Sequence, residues 1–87
     1  MKLNTEHIPE SLRVLIPLAE RWGISDDSKR IKLIERANVA DRVELKTIIG
    51  KYDDELDKWL ADAEASGSEF SNEYIAFSAM RMAADYL

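Results

Sequence analysis

Asp53, Asp54, Glu55, Asp57, Asp62 and Glu64 form the densest group of ionisable side chains in this 87-residue chain. Carboxylates this close together could coordinate a cation, carry acid–base chemistry or receive a basic partner. A calcium loop alternates its oxygen ligands about a central glycine and closes on a glutamate. Here Gly50 precedes the acids instead of lying among them, so no metal is expected. Glycosidic catalysis needs two carboxylates facing each other across a cleft in unlike surroundings. Acids strung along the outer side of a helix are all hydrated alike. Beside the plain role of a solvated face, their functional use is a docking surface for a basic protein, with Asp53, Asp54, Glu55, Asp57 and Asp62 as its residues.

The remaining reactive residue types are sparse. His7 is the single histidine, which excludes a two-histidine metal site within one chain, and there is no cysteine to supply a thiolate ligand or nucleophile. The serines sit where caps and turns use hydroxyls, and no glycine-rich phosphate loop or dinucleotide fingerprint is present. The expectation is a protein that is not an enzyme and carries no cofactor. Lys29, Lys32 and Arg36, with Arg30 nearby, make a basic stripe, but no aromatic residues are interleaved for stacking on bases, as in an ordinary solvated helix face.

Leu18 to Ser25 resembles the first helix and turn of a helix-turn-helix, with Ala19 as the small residue, Gly23 at the turn and Ile24 behind it. That motif needs apolar residues six and nine positions past the glycine, where the second helix packs on the first. Lys29 and Lys32 stand there, and Asp26 and Asp27 occupy the place that would approach phosphate. A DNA-binding regulator using a degenerate motif over residues 12–37 is the alternative function. The charge pattern argues against it, and no nucleic-acid partner is expected.

Net charge is −5, and it is unevenly distributed. Residues 1–40 are near neutral, whereas residues 41–69 carry nine acids against four bases. Such a balance repels nucleic acid and anionic membrane and favours a basic protein. No segment approaches the roughly 18 apolar residues of a membrane span, and the first residues lack a signal-peptide apolar run. A cytoplasmic protein without membrane contact is expected. Size and composition point to a single domain over residues 1–87, with residues 1–7 as a mobile N-terminal segment.

Only three glycines and two prolines interrupt the chain, and no strand-like alternation occurs. The expected fold is all-α, a compact bundle of four to five helices. Pro9 opens a first helix carrying Leu12, Leu15, Ile16, Ala19 and Trp22, kinked at Pro17 and stopped by a left-handed Gly23. Ser25 or Asp26 caps a second helix with Ile31, Leu33, Ile34 and Ala37 on its apolar side, and Asn38 stops it. Leu45, Ile49, Tyr52, Leu56, Trp59 and Ala63 form a heptad-like seam, on one helix or on two meeting near Gly50 and Tyr52. After a loop at residues 65–68, Ser68 or Ser71 caps a final helix. The expected core is Leu12, Leu15, Ile16, Ala19, Trp22, Ile31, Ile34, Ile49, Leu56, Trp59, Tyr74 and Phe77.

The final helix is apolar around nearly its whole circumference, apart from Ser78, Arg81 and Asp85, the last two placed to pair across one turn. Such a helix is central to a bundle or covered by another chain. Phe77, Met80 and Ala84 are assigned to the interior. Ile75, Met82 and Tyr86 share another face and are the expected contacts of a homodimer.

Taken as a whole, the chain resembles a group of short bacterial all-helical proteins. The resemblance is carried by Pro9 to Leu12 (Pro-Glu-Ser-Leu), by Pro17 to Asp27 (Pro-Leu-Ala-Glu-x-Trp-Gly-Ile-x-Asp-Asp) and by Tyr74 to Phe77 (Tyr-x-Ala-Phe). It implies the helical fold and brings no catalytic or binding residues.

Overall fold

In the computed structural model, which describes residues 3–87, five α-helices follow two short 3₁₀ segments, Thr5–His7 and Glu10–Leu15. They are α1 (Ile16–Trp22), α2 (Asp27–Arg36), α3 (Val39–Lys51), α4 (Asp53–Ala65) and α5 (Asn72–Tyr86), and no strand occurs among the described residues. The all-α bundle expected from the sequence is the fold. Three of the helix starts are made by side chains three residues ahead of the amide they cap. Asp26, Asn38 and Ser71 accept from the amides of Lys29, Asp41 and Tyr74 at 3.1, 2.8 and 3.1 Å. Asn38 therefore starts α3 rather than stopping α2. The end of α2 is satisfied by Arg42, whose Nη2 donates to the carbonyls of Ile34 and Glu35 at 2.8 and 3.3 Å.

Helix α5 is the centre of the bundle and packs against α1, α2, α3 and α4. Its Ala76, Phe77, Ala79, Met80, Ala83 and Ala84 are all buried. Alanine at four of these positions lets neighbouring backbones come close. Gly23, just past the end of α1, shows how close: a β-carbon there would lie 2.6 Å from the Ala76 carbonyl oxygen and 2.9 Å from its Cα. The left-handed turn expected at Gly23 is absent, because its φ is −80°. Glycine is required because two backbone carbonyls leave no room for a β-carbon, that of Ala19 within α1, which is the nearer, and that of Ala76 on α5. Trp22, Leu12 and Leu15 are fully buried beside it, and Arg21 pairs with Asp41 at 2.6 Å across α1 and α3.

Two further expectations change in form. Residues 10–22 are not one kinked helix: the 3₁₀ segment gives way to α1 with Pro17 in the first turn, where its missing amide has no intrahelical partner to lose. The 45–63 seam is divided between two helices that meet at Tyr52, whose φ and ψ of −108° and 15° leave the helical range. Leu45, Ile49, Leu56, Leu60 and Ala63 are buried along it, while Tyr52 and Trp59 are half-buried. Trp59 closes edge-on against Phe77, with ring centroids 5.2 Å apart.

Of the expected core, Ile16, Ile31, Trp59 and Tyr74 are only half-buried, and Ile31 lies off the main cluster. Ile34 is the one fully buried residue of α2, so that helix is held by a narrow apolar contact. The N-terminal part of the chain supplies the missing material, since Leu3 and Ile8 are 6% and 1% exposed. Between them, Asn4, Thr5, Glu6 and His7 are exposed. For Met1 and Lys2 the expectation of a mobile 1–7 segment lies outside the described residues.

Two substitutions test this packing. Leu15→Ala should lower the unfolding free energy by about 2–5 kcal/mol through a lost transfer term plus a cavity. Gly23→Ala should also be strongly destabilising, by more than about 1 kcal/mol, because a methyl group meets the Ala19 carbonyl of α1 and the Ala76 backbone of α5. Urea unfolding of each variant measures both. A Gly23→Ala protein as stable as the parent would show that α1 and α5 do not approach as described.

Candidate functional site

The acidic group on α4 is divided by the fold. Asp53 and Asp57 stand one turn apart and both turn to Arg81 of α5, Asp53 Oδ1 accepting from Nη2 at 3.0 Å and Asp57 Oδ1 from Nη1. Hydrogen bonding to Arg81 holds the Asp57 carboxyl below its ordinary range, and the same contact raises Arg81 above its own. Arg81 was expected to pair with Asp85 along its own helix. It pairs across to α4 instead, because two carboxylates there offer it a fork of acceptors and Asp85 only a weaker field. Asp54, Glu55 and Asp62 are exposed. Farther along α4, Glu64 accepts from the Tyr74 hydroxyl at 2.5 Å, and that bond to a carboxylate raises the phenol.

A second polar group escaped the sequence reading. Glu73, only 4% exposed, lies in the first turn of α5, where unpaired amides favour a carboxylate. Its Oε1 is 2.6 Å from His7 Nδ1, with the imidazole itself 61% exposed. His7 lies on the rim of a cleft of about 520 Å³ that Trp59, Asp62, Ser66, Ser68 and Ser71 also line. The hydroxyls there are engaged elsewhere: Ser71 caps α5, Ser66 donates to the Ala63 carbonyl at 3.2 Å, and Ser66 and Ser68 share a 3.1 Å contact. None bonds to the imidazole, so the nucleophile–base contact of hydrolytic triads is not formed. Among the described residues no three His, Cys, Asp or Glu side chains gather as a metal site.

The outer face of α5 carries exposed apolar side chains. Met82 and Tyr86 are 53% and 63% exposed and Ile75 is half-buried, whereas Phe77, Met80 and Ala84 point inward. Ile75, Met82 and Tyr86 recur at spacings of seven and four along one side of the helix, with the half-buried Ser78 in the turn between the first two. Met82 borders three depressions. One, of about 280 Å³, separates α5 from α4 and is walled by Asp57 and Glu64; two, of about 400 and 200 Å³, separate α5 from α2 and are walled by Asp27 and Arg30. The stripe is thus a ridge with a groove on either side. Both nearby arginines are committed within the chain, Arg81 to α4 and Arg30 to Asp27 and to the Ile24 carbonyl.

Lys29, Lys32 and Arg36 are exposed on α2, facing away from the core. The two lysines occupy the positions where a helix-turn-helix would bury apolar side chains. No described helix is long and apolar enough to cross a membrane. The fold and this surface define the chain as an all-α bundle with an open, acid-walled helical face. Compared with known protein families, curated proteins and solved structures, it matches none.

The Arg81 fork has a pH signature. A carboxyl held below its ordinary value of 3.8 adds stability that is fully present above that pH and is lost as the pH falls through the lower folded value. The thermal midpoint of the parent should therefore drop more steeply below about pH 4 than that of Arg81→Gln. Parallel curves for the two proteins would mean that the fork contributes nothing.

Proposed function

We propose that this chain is a non-enzymatic protein-interaction module of the cytoplasm, an immunity-like or regulatory accessory protein that acts by covering a basic partner. One observation carries the reading. The acids of α4 and the rims of the α5 grooves present negative charge beside exposed apolar surface, while the arginines within reach are already paired inside the chain. A surface so arranged attracts cationic side chains over a distance and has apolar area to bury on contact. Asp54, Glu55 and Asp62 supply free carboxylates for the approach. Asp53 and Asp57 serve as a fixed negative edge, held in place by Arg81.

The α5 stripe also suits a twofold dimer built on Ile75, Met82 and Tyr86, which would be a second use of the same face. A DNA-binding role through α2 has less support, since Asp26 and Asp27 stand at the start of the helix that would enter the groove of the duplex.

Affinity capture from the native organism, comparing the parent with Asp54→Lys/Glu55→Lys/Asp62→Lys, tests the proposal. The parent should retain a basic protein that the charge-reversed variant loses and that rising salt releases. Retention of labelled duplex DNA with a steep salt dependence, and of no protein, would replace this reading with the DNA-binding one.

A further inference from the structure

We infer that the α5 ridge receives a basic amphipathic helix, laid along Ile75, Met82 and Tyr86, with its apolar side over Met82 and its lysines or arginines reaching Glu64 on one flank and Asp85 on the other. This rests on the interaction-module reading and specifies the partner. Three features carry it, the first being shape. Helices pack by setting the side-chain ridges of one into the grooves of the other, and the Met82 line is a ridge with a depression on each side. The apolar positions 75, 82 and 86 keep the spacing of a helix-packing seam, yet Met82 and Tyr86 are more than half exposed.

Backbone chemistry is the second. An extended peptide gains affinity by adding to an exposed sheet edge. Among the described residues there is no strand to pair with an extended partner, and a helix satisfies its own backbone hydrogen bonds. From Tyr74 to Tyr86 the ridge measures about 18 Å, enough for roughly three turns of a partner helix.

The third is charge. Asp57, Glu64, Asp85 and Asp27 border the depressions against Arg81 and Arg30; Asp57 is taken up by Arg81 and Asp27 by Arg30, which leaves Asp85 and Glu64 as the uncompensated charge beside Met82. A second copy laid on this face about a twofold axis would bring the same acids against one another. A basic helix meets them with opposite charge, which is why it is the favoured occupant of a face that would otherwise suit a dimer.

The test uses the full chain and a fluorescein-labelled helical peptide roughly four turns long, with leucines on one side and lysines on the other, followed by fluorescence anisotropy. Two controls are a scrambled peptide of the same composition and the same helix with glutamates for lysines. The amphipathic basic peptide should bind. Met82→Lys should weaken it by about tenfold or more, while Glu44→Lys, an exposed position of α3 that borders none of these depressions, should change affinity by less than about threefold. Met82 is half-exposed, and unchanged circular dichroism of the variant confirms that loss of binding is not loss of fold. Equal binding of the scrambled peptide would overturn the helix inference and leave a general acidic docking surface standing. If neither basic peptide binds, both readings fail. A light-scattering mass twice 9.9 kDa that halves on Met82→Lys would also overturn the inference, since a second copy would then occupy the ridge.

Discussion

An 87-residue chain can surround one of its own helices only if the neighbours come very close to it, and in this protein that closeness is set where the end of α1 meets α5. Gly23 faces the Ala76 backbone with no room for a β-carbon, and Ala79, Ala83 and Ala84 keep the rest of α5 slim. Close approach lets Trp22, Phe77 and Met80 share one core with leucines from the 3₁₀ segment, α3 and α4. Small residues at a helix contact contribute little transfer energy themselves. They act by bringing larger side chains within dispersion range, where many weak contacts add up.

Central placement of α5 also explains the distribution of charge. Arg81 is on a helix otherwise surrounded by apolar groups, and a guanidinium partly withdrawn from water needs acceptors. Asp53 and Asp57, one turn apart on α4, provide them. The acidic excess is therefore partly structural: two of its members orient α4 against α5, and the others remain free at the surface. Exposed ion pairs contribute little stability singly. Their value here is positional, since they fix the wall of the groove that Met82 borders.

Glu73 and His7 show the same logic at the opposite end of α5. A carboxylate in the first helical turn is favoured by the free amides, and its burial calls for a hydrogen-bond donor. His7 provides one across 66 positions of sequence, in a segment that Leu3 and Ile8 already bind to the core by apolar burial. The N-terminal residues complete the small core that five short helices leave open.

The helical character, the caps narrowed to Ser25 or Asp26 and to Ser68 or Ser71, the loop near residues 65–68 and the inward set Phe77, Met80 and Ala84 could be read from the sequence, because capping and helical periodicity are local and act over three to seven positions. The same periodicity put Ile75, Met82 and Tyr86 on a common outer stripe. It could not say that the 45–63 seam breaks at Tyr52, since a single non-helical residue preserves most of the apolar spacing. Gly23 was legible as a helix end, and one obstruction to a β-carbon there, the Ala19 carbonyl, is local; the other, the Ala76 backbone, is distant in sequence and was not legible. Arg81 had a local candidate in Asp85, and only the packing of α4 beside α5 supplied two better acceptors. His7 with Glu73, the grooves beside Met82 and the burial of Leu3 and Ile8 exist only after the chain has folded back on itself. Sequence determined which face of each helix is apolar, and tertiary structure decided which faces meet, because contact between helices depends on shape and distance that a one-dimensional pattern does not carry.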